Sequence, residues 1–386
     1  MKQHDVLSQH EDRLARVEPE VAQDVERLLA LAPRGLARGY DAGAGGFAQT
    51  LRLVAGRDGV ALRAEGQNLR YTAMALLGLG RLGPARAREV LGGTSPGEVL
   101  ARAARTALDH PDPGAVALVA WAEAELSGVF DDKLFCRLEE HLAAGQPLPT
   151  VDVSWMLTAA TVAAGLGRTD LVTERAAARL TAGRGPQGIY PHVLPSAGKP
   201  RWRAHVGSFA DQVYPLQALA RASVHGPGEW LAAADLTAAR LCDLQGEQGQ
   251  WWWHYDARDG TVVERYPVYS VHQHAMAPMV LLDLLEAGGA DHRDAVARGV
   301  GWLGRHPEAL EELVSERWGV VWRKVGRREP RKAARALQAA ASAAAPGVRV
   351  PGLDVVLPPG VVDHECRPYE LGWLLYAWLP TGAGDE

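Results

Sequence analysis

Cysteine is scarce in this sequence. Three residues of 386, Cys136, Cys242 and Cys366, lie far apart and in no CxxC or metal-type spacing. A reduced, cytoplasmic protein without a disulfide framework is the simplest reading. The stretch from Met1 to Pro33 is charged and has no apolar core, so it is not a signal peptide. No run approaches the roughly 20 apolar residues that cross a bilayer. Charge of one sign is also lacking. The formal net charge is −5, too mild to argue for nucleic acid or a membrane as a general partner. Four Phe stand against twelve Trp and nine Tyr, so most aromatics carry a hydrogen-bonding group. That balance suits a wet pocket or polar rim better than a dry core. No GxGxxG after a strand, GxxxxGK[ST], HExxH or GxSxG is present, which argues against nucleotide-binding, zinc-protease and serine-hydrolase chemistry. No cofactor and no metal site is expected.

What is present is a phrase written six times, a polar or aromatic cluster that opens a helix of small and aliphatic residues. The openings are Asn68-Leu69-Arg70-Tyr71, Gly114 with Trp121 further in, Asp152-Val153-Ser154-Trp155, Asp211-Gln212-Val213-Tyr214, His272-Gln273-His274 and Arg367-Pro368-Tyr369-Glu370. They begin apolar helices over about 68–80, 114–127, 152–166, 211–224, 271–287 and 367–379. Each follows an amphipathic, charged helix, over about 18–32, 97–109, 132–144, 169–182, 229–244 and 292–304. A helix with one polar face belongs on an outside layer, and one apolar all round belongs inside. Six of each in alternation describe an all-α fold, an (α/α)6 barrel or toroid, as a single domain over 1–386.

Inner-to-outer links are short, and outer-to-inner links are mostly long (33–67, 183–210, 245–270, 305–366). All links of one kind share a rim, so the long loops surround the inner-helix openings, where a binding site belongs. Three of them are predicted as β-hairpins: Gly46 to Glu65 around Arg57-Asp58-Gly59, Gly188 to His205 around Ser196-Ala197-Gly198, and Gly249 to Tyr269 around Arg258-Asp259-Gly260. The fourth, 305–366, is an insertion rich in basic residues, Ala, Pro and Gly. From Arg317 to Arg335 it holds eight Lys/Arg against Glu329, a local charge of +7. That run suits an anionic glycan, a polyprenyl phosphate or the surface of a membrane; the plainer reading is a solvated surface helix.

The densest chemistry lies in Trp251-Trp252-Trp253-His254-Tyr255-Asp256 and in Glu264-Arg265-Tyr266 up to His274. Strand alternation predicts Trp251, Trp253 and Tyr255 on one side and Trp252, His254 and Asp256 on the other. His272 and His274, two apart on a helix, point about 200° from each other and do not share a metal easily. A neutral His suits acid/base work, as does a structural, hydrogen-bonded one. Asp152 and Asp211 occupy equivalent helix starts. Each is either an N-cap or, with Glu370 and Glu264, a carboxylate facing one mouth.

Catalysis is expected from His272 or His274 with Tyr269, Asp211 and Asp152 as carboxylate partners, and Glu370. Substrate contacts are expected from Asn68, Arg70, Tyr71, Trp155, Tyr190, His192, Arg203, His205, Gln212, Tyr214, Trp252, Trp253, His254, Arg265, Gln273, Arg367 and Tyr369. The arginines suit an anionic ligand such as a uronate or phosphate, and the Trp and Tyr rings suit sugar faces.

The paired helices resemble two superfamilies built on this toroid. One is the six-hairpin glycosidase-like group of hydrolases, lyases and sugar epimerases. The other is the terpenoid cyclase and protein prenyltransferase group. Gln245-Gly246-Glu247-Gln248-Gly249-Gln250-Trp251 is similar to the Q…GxW repeat of squalene-type cyclases, with weaker copies at Gly188-Ile189-Tyr190 and Gly45-Gly46-Phe47. The nearest match to their DxDD acid, Val151-Asp152-Val153-Ser154-Trp155, lacks the paired carboxylates, and the prenyltransferase zinc set is missing. The resemblance covers architecture over most of the chain. It implies a carbohydrate-acting enzyme using acid/base chemistry (epimerisation, elimination or hydrolysis). Alternatives are a cyclase acting on an isoprenoid and a non-catalytic glycan- or peptide-binding toroid.

Overall fold

The computed structural model describes residues 12–56, 59–198, 200–330 and 332–381. Helix α1 (Pro19–Gly39) lies outside and α2 (Leu69–Leu79) inside; after the short α3 (Pro84–Val90), α4 (Pro96–Ala107) and α5 (Pro113–Ser127) repeat the pair. Two further pairs are α6 (Asp132–Ala143) with α7 (Thr150–Val162) and α8 (Asp170–Gly183) with α9 (Ala210–Ser223). Helix α10 (Gly228–Asp243) precedes α11 (Ala277–Glu286), which a π turn at His272–Met276 leads in. After α12 (Arg293–Arg305), the segment 306–367 carries α13 (Ala333–Ala344) and α14 (Leu353–Val356), and α15 (Pro368–Trp378) ends the ring.

The inner helices pack in the order α2, α5, α7, α9, α11, α15, and α15 returns to α2. This is the (α/α)6 toroid. Burial explains the two layers. Every residue of α5 from Gly114 to Trp121 is buried, whereas α4 buries one stripe, Val99, Leu100, Ala103, Ala104 and Ala107. Ring closure depends on two glycines. A Cβ on Gly78 would lie 2.1 Å from the carbonyl oxygen of Gly372, so the α2 and α15 backbones touch directly.

Helix α1 runs seven residues beyond the expected end, through Pro33 to Gly39. Proline removes one backbone bond, yet the apolar stripe continues past it, with Gly35 and Leu36 buried. Packing of α1 on α15 sustains the helix.

The hairpin Thr50–Gly56 with Gly59–Glu65 forms as expected and gains Glu365–Cys366 at its edge; Arg57 and Asp58 lie outside the described residues. His254–Asp256 pairs with Val262–Glu264 in the third expected hairpin. The stretch 188–205 is not a hairpin. Val193–Leu194 pairs with Leu148–Pro149, and Val206–Ser208 pairs with His254–Asp256. Pro191, Pro195 and Pro200 lack the donors a continuous ladder needs, so each short strand joins a neighbouring repeat instead.

Residues 317–335 are only in part a solvated basic run: Arg317, Arg328 and Lys332 are exposed, while others are paired. Arg327 is buried against Glu264 (3.0 Å) and Asp354 (2.7 Å), Lys324 pairs with Asp363, and Arg323 lies 3.3 Å from Glu370. Arg331 lies outside the described residues. The strand Lys324–Arg327 sits between Val268–Tyr269 and Pro359–Asp363, which binds the segment to the open rim.

Candidate active site at the open rim

The first inner helix brings Arg70. Its guanidinium spans Asp112, the N-cap of α5, and Asp152, in the first turn of α7, with Nη1 2.8 Å from Asp152 Oδ1. It also lies 5.1 Å from the Trp155 ring. Asp152 is 1% exposed, and burial pushes its carboxyl up to about 6 although Arg70 pulls the other way. Nearby Asp112 raises it and His192 lowers it.

On the next inner helix Asp211 is fully buried and accepts hydrogen bonds from the Ser208 amide (2.7 Å) and hydroxyl (2.7 Å). His192 Nδ1 lies 3.0 Å from it. Tyr214, one turn further along α9, meets Trp155 edge-on at 5.0 Å, and its hydroxyl accepts from Trp373 Nε1 at 2.8 Å.

The circuit continues through hairpin and insertion. His254 stacks on Trp253 at 4.5 Å and is held neutral, well below its usual range, by burial and then by Arg335, Arg203 and His192. Arg335, from α13, lies 3.8 Å over the Trp253 ring. Trp253 meets Tyr269 at 5.3 Å, and Tyr269 in turn carries Arg323 at 4.9 Å and His272 at 5.0 Å. Arg323 reaches Glu370, whose carboxyl burial pushes up to about 6. Tyr369 stacks on Tyr71 at 4.5 Å, and Arg367 donates to the Tyr71 hydroxyl. Asp152, Asp211, His272 and Glu370 thus belong to one connected series of charged and aromatic side chains at the starts of the inner helices.

Other expected residues lie elsewhere. Tyr190 is fully buried, with its backbone clamped by Gln212, and Gln212 is consumed by that clamp. Gln273 is buried and donates to the Tyr269 carbonyl. His205 lies 2.8 Å from the Ser342 hydroxyl and ties the sheet to α13. Asn68 caps α2 by accepting from the Tyr71 amide. Glu264 is buried against Arg327. His274 is buried in the wall, where burial alone holds it near 3, and its carbonyl accepts from Trp378. His272 is also pushed down to about 3, by burial and then Arg323, which makes it a poor proton donor at neutral pH.

Trp251, Trp252 and Trp253 precede the paired strand, so alternation does not govern them. Trp251 packs on Phe209 in the core, Trp252 turns with Arg265 to a separate cleft, and only Trp253 faces the rim. Asp112, Arg323 and Arg335 are rim residues that sequence reasoning missed. Asp112-Pro113-Gly114 carried a recognisable capping signal; the two arginines were hidden inside the basic run. Among the described residues, no group of three or more His, Cys, Asp and Glu is placed to hold a metal.

No protein-family profile matches the sequence, and no curated protein is similar to it in sequence. Solved structures are similar. The unsaturated glucuronyl hydrolase from Bacillus sp. GL1, responsible for the degradation of glycosaminoglycan, superposes with a TM-score of 0.53 at 14% identity, over 93% of this chain and 97% of that one. The chain has the fold of the unsaturated glucuronyl hydrolases. One specific for heparin gives a TM-score of 0.52 at 14% identity, over 92% and 96% of the two chains. A Klebsiella pneumoniae protein described as a possible member of the GH105 family gives 0.54 at 12% identity, over 93% and 92%. The shared (α/α)6 architecture therefore extends over nearly the whole chain.

Proposed function

We propose that this chain is a carbohydrate-acting enzyme that hydrolyses an anionic oligosaccharide at a uronyl residue, with the open rim as its active site. The Asp152 carboxyl carries the reading. It is buried, raised to about 6 and oriented by Arg70. Such an acid keeps a transferable proton at a pH where an ordinary aspartate has lost it.

In this reading Asp152 gives its proton to the substrate, either to a glycosidic oxygen or to the carbon of an enol ether. Asp211, fixed by Ser208, stabilises the positive charge that develops on the sugar and orients the incoming water together with His192. Water supplies hydroxide to the sugar, and its remaining proton restores Asp152. Arg203 and Arg335, which make no ion pair among the described residues, favour a carboxylated sugar. His272 and Tyr269 become lining residues rather than the proton donor.

Two of the fold neighbours named above are unsaturated glucuronyl hydrolases, one specific for heparin and one responsible for the degradation of glycosaminoglycan, which supports this class. A rim bearing Arg70, Asp112, Asp152, Arg323 and Glu370 is charged, which suits a sugar better than an isoprenoid. The pairing of Arg323, Lys324 and Arg327 leaves less free positive charge in 317–335 for a membrane surface. Among the described residues no helix is long and apolar enough to cross a membrane, and the free cysteines support a reduced, cytoplasmic setting.

The test is incubation of the full chain with unsaturated and saturated uronyl disaccharides, following sugar release and loss of ultraviolet absorbance from the C4=C5 bond. Release by wild type and its loss in Asp152→Asn is the expected result. A folded protein that turns over none of them overturns the reading.

A further inference from the structure

A cleft beside the rim cluster shares no lining residue with it. This cleft, about 870 Å³, runs between the loop after α10 and the return of the insertion; its lining includes Gln248, Gln250, Trp252, Arg265, Glu308 and Arg349. Its volume is in the range of pockets that take small ligands, roughly 300–1,000 Å³.

The charges in the cleft are unevenly satisfied. Glu308 is engaged: Gln250 Nε2 donates to it at 2.6 Å, Trp302 Nε1 at 3.1 Å and the Tyr266 hydroxyl at 3.3 Å. Arg265 and Arg349 are not. Among the described residues neither makes an ion pair or a side-chain hydrogen bond, and the buried Nε of Arg265 has no acceptor. Arg265 is placed by Trp252, whose ring lies 5.1 Å away. Burial and the nearness of Arg265 depress the basicity of Arg349. The more deeply buried Arg327, which also lies near this return of the insertion, does have carboxylate partners in Glu264 and Asp354. Two half-buried guanidinium groups that repel each other and lack acceptors leave a gap that an oxyanion completes, because their forked donors match sulfate, phosphate or carboxylate oxygens.

We propose that this cleft is a second ligand site, which takes an oxyanion-bearing, sugar-sized molecule with the anion between Arg265 and Arg349 and the polar body against the Gln245 to Gln250 loop. The inference does not depend on the hydrolase reading, because binding is measured without turnover.

The experiment is calorimetric titration of the full chain with inorganic sulfate, glucose 6-phosphate and glucose. Wild type should bind both anions and not glucose, with glucose 6-phosphate at least tenfold tighter than sulfate. The Arg265→Gln/Arg349→Gln double variant should weaken anion binding at least tenfold while its ligand-free melting temperature is unchanged. Arg349→Gln alone serves if the double variant melts early. Arg335→Gln, at the rim, should bind as wild type does. Failure of both anions to bind wild type overturns the proposal. So does equal binding by wild type and the cleft variants, or a loss confined to Arg335→Gln.

Discussion

Arg70 Nη1 lies 2.8 Å from Asp152 Oδ1, and the same guanidinium is shared with Asp112. One cation thus serves two carboxylates of unequal depth. Asp112 is held below its usual range, with burial opposing the hydrogen bond and charge of Arg70, whereas Asp152 is raised because burial outweighs Arg70. Replacing Arg70 with Gln removes the main influence that favours ionised Asp152. Its pKa should rise further, by about a unit or more. The alkaline limb of the activity profile should move up with it, measured as kcat/KM against pH on a uronyl disaccharide. An unmoved limb would show that Asp152 is not the titrating acid.

Asp152→Asn separates chemistry from stability. Activity should fall about 10²–10⁴-fold, the usual worth of a positioned acid, with the fold intact. Stability should respond to pH in a definite direction. The folded pKa of about 6 exceeds the ordinary 3.8, so the stability associated with protonated Asp152 is full below 3.8 and is lost as pH rises through 6. At about 1.4 kcal/mol per unit the loss is up to about 3 kcal/mol. Asparagine does not titrate, so urea melts at pH 4 and pH 7 should show wild type losing ground to the variant by that order. Parallel pH dependence in the two proteins would contradict the assignment.

The sequence made the ring legible because each of its helices is a long, uniform signal. The openings at Arg70, Asp152, Asp211 and Glu370 all fell on one rim, since loop lengths alone orient a two-layer toroid. What was not legible depended on partners distant in the chain. Arg323 and Arg327 looked like members of a basic surface run, yet they are neutralised by Glu370 and Glu264. Nothing local to 317–335 announces those carboxylates. Trp252 and Arg265 neighbour Trp253 and His254 in the sequence, which points them to the mouth, but the strand begins only at His254 and does not fix side-chain direction before it. The π turn at His272–Met276 has no local signal in the sequence either.

Closure of the ring should be sensitive to a single methyl group. A Cβ on Gly372 would lie 2.7 Å from the Ala75 Cα and 2.8 Å from the Met74 carbonyl oxygen, both backbone atoms that cannot rotate away. Gly372→Ala should cost about 1–3 kcal/mol by overpacking, measured by urea denaturation. By contrast Gly304→Ala, where no atom lies within 4 Å of the added carbon, should be neutral or stabilising. Equal stability of Gly372→Ala and wild type would mean that α2 and α15 are further apart than described.

The closed end of the barrel offers a test of stability without chemistry. Arg13 is 1% exposed and reaches under the ring, where Nη2 lies 2.5 Å from Asp283 Oδ1 and 2.6 Å from Glu286 Oε2, and Nη1 donates to the Ala377 carbonyl at 2.8 Å. Arg221 shares Asp283 at 2.7 Å, and Gln217 donates to the same oxygen. The segment before α1 is thereby joined to α11 and α15. Arg13→Met keeps much of the side-chain volume but leaves Asp283 and Glu286 with one cation fewer in a buried place. Breaking such a pair by removing one partner costs about 3–5 kcal/mol, and the change should appear in urea denaturation. The network lies at the opposite end from Asp152, so kcat on a uronyl disaccharide should stay within about twofold at temperatures where the variant is folded. A large loss of kcat with unchanged stability would reverse the division of labour between the two ends of the barrel.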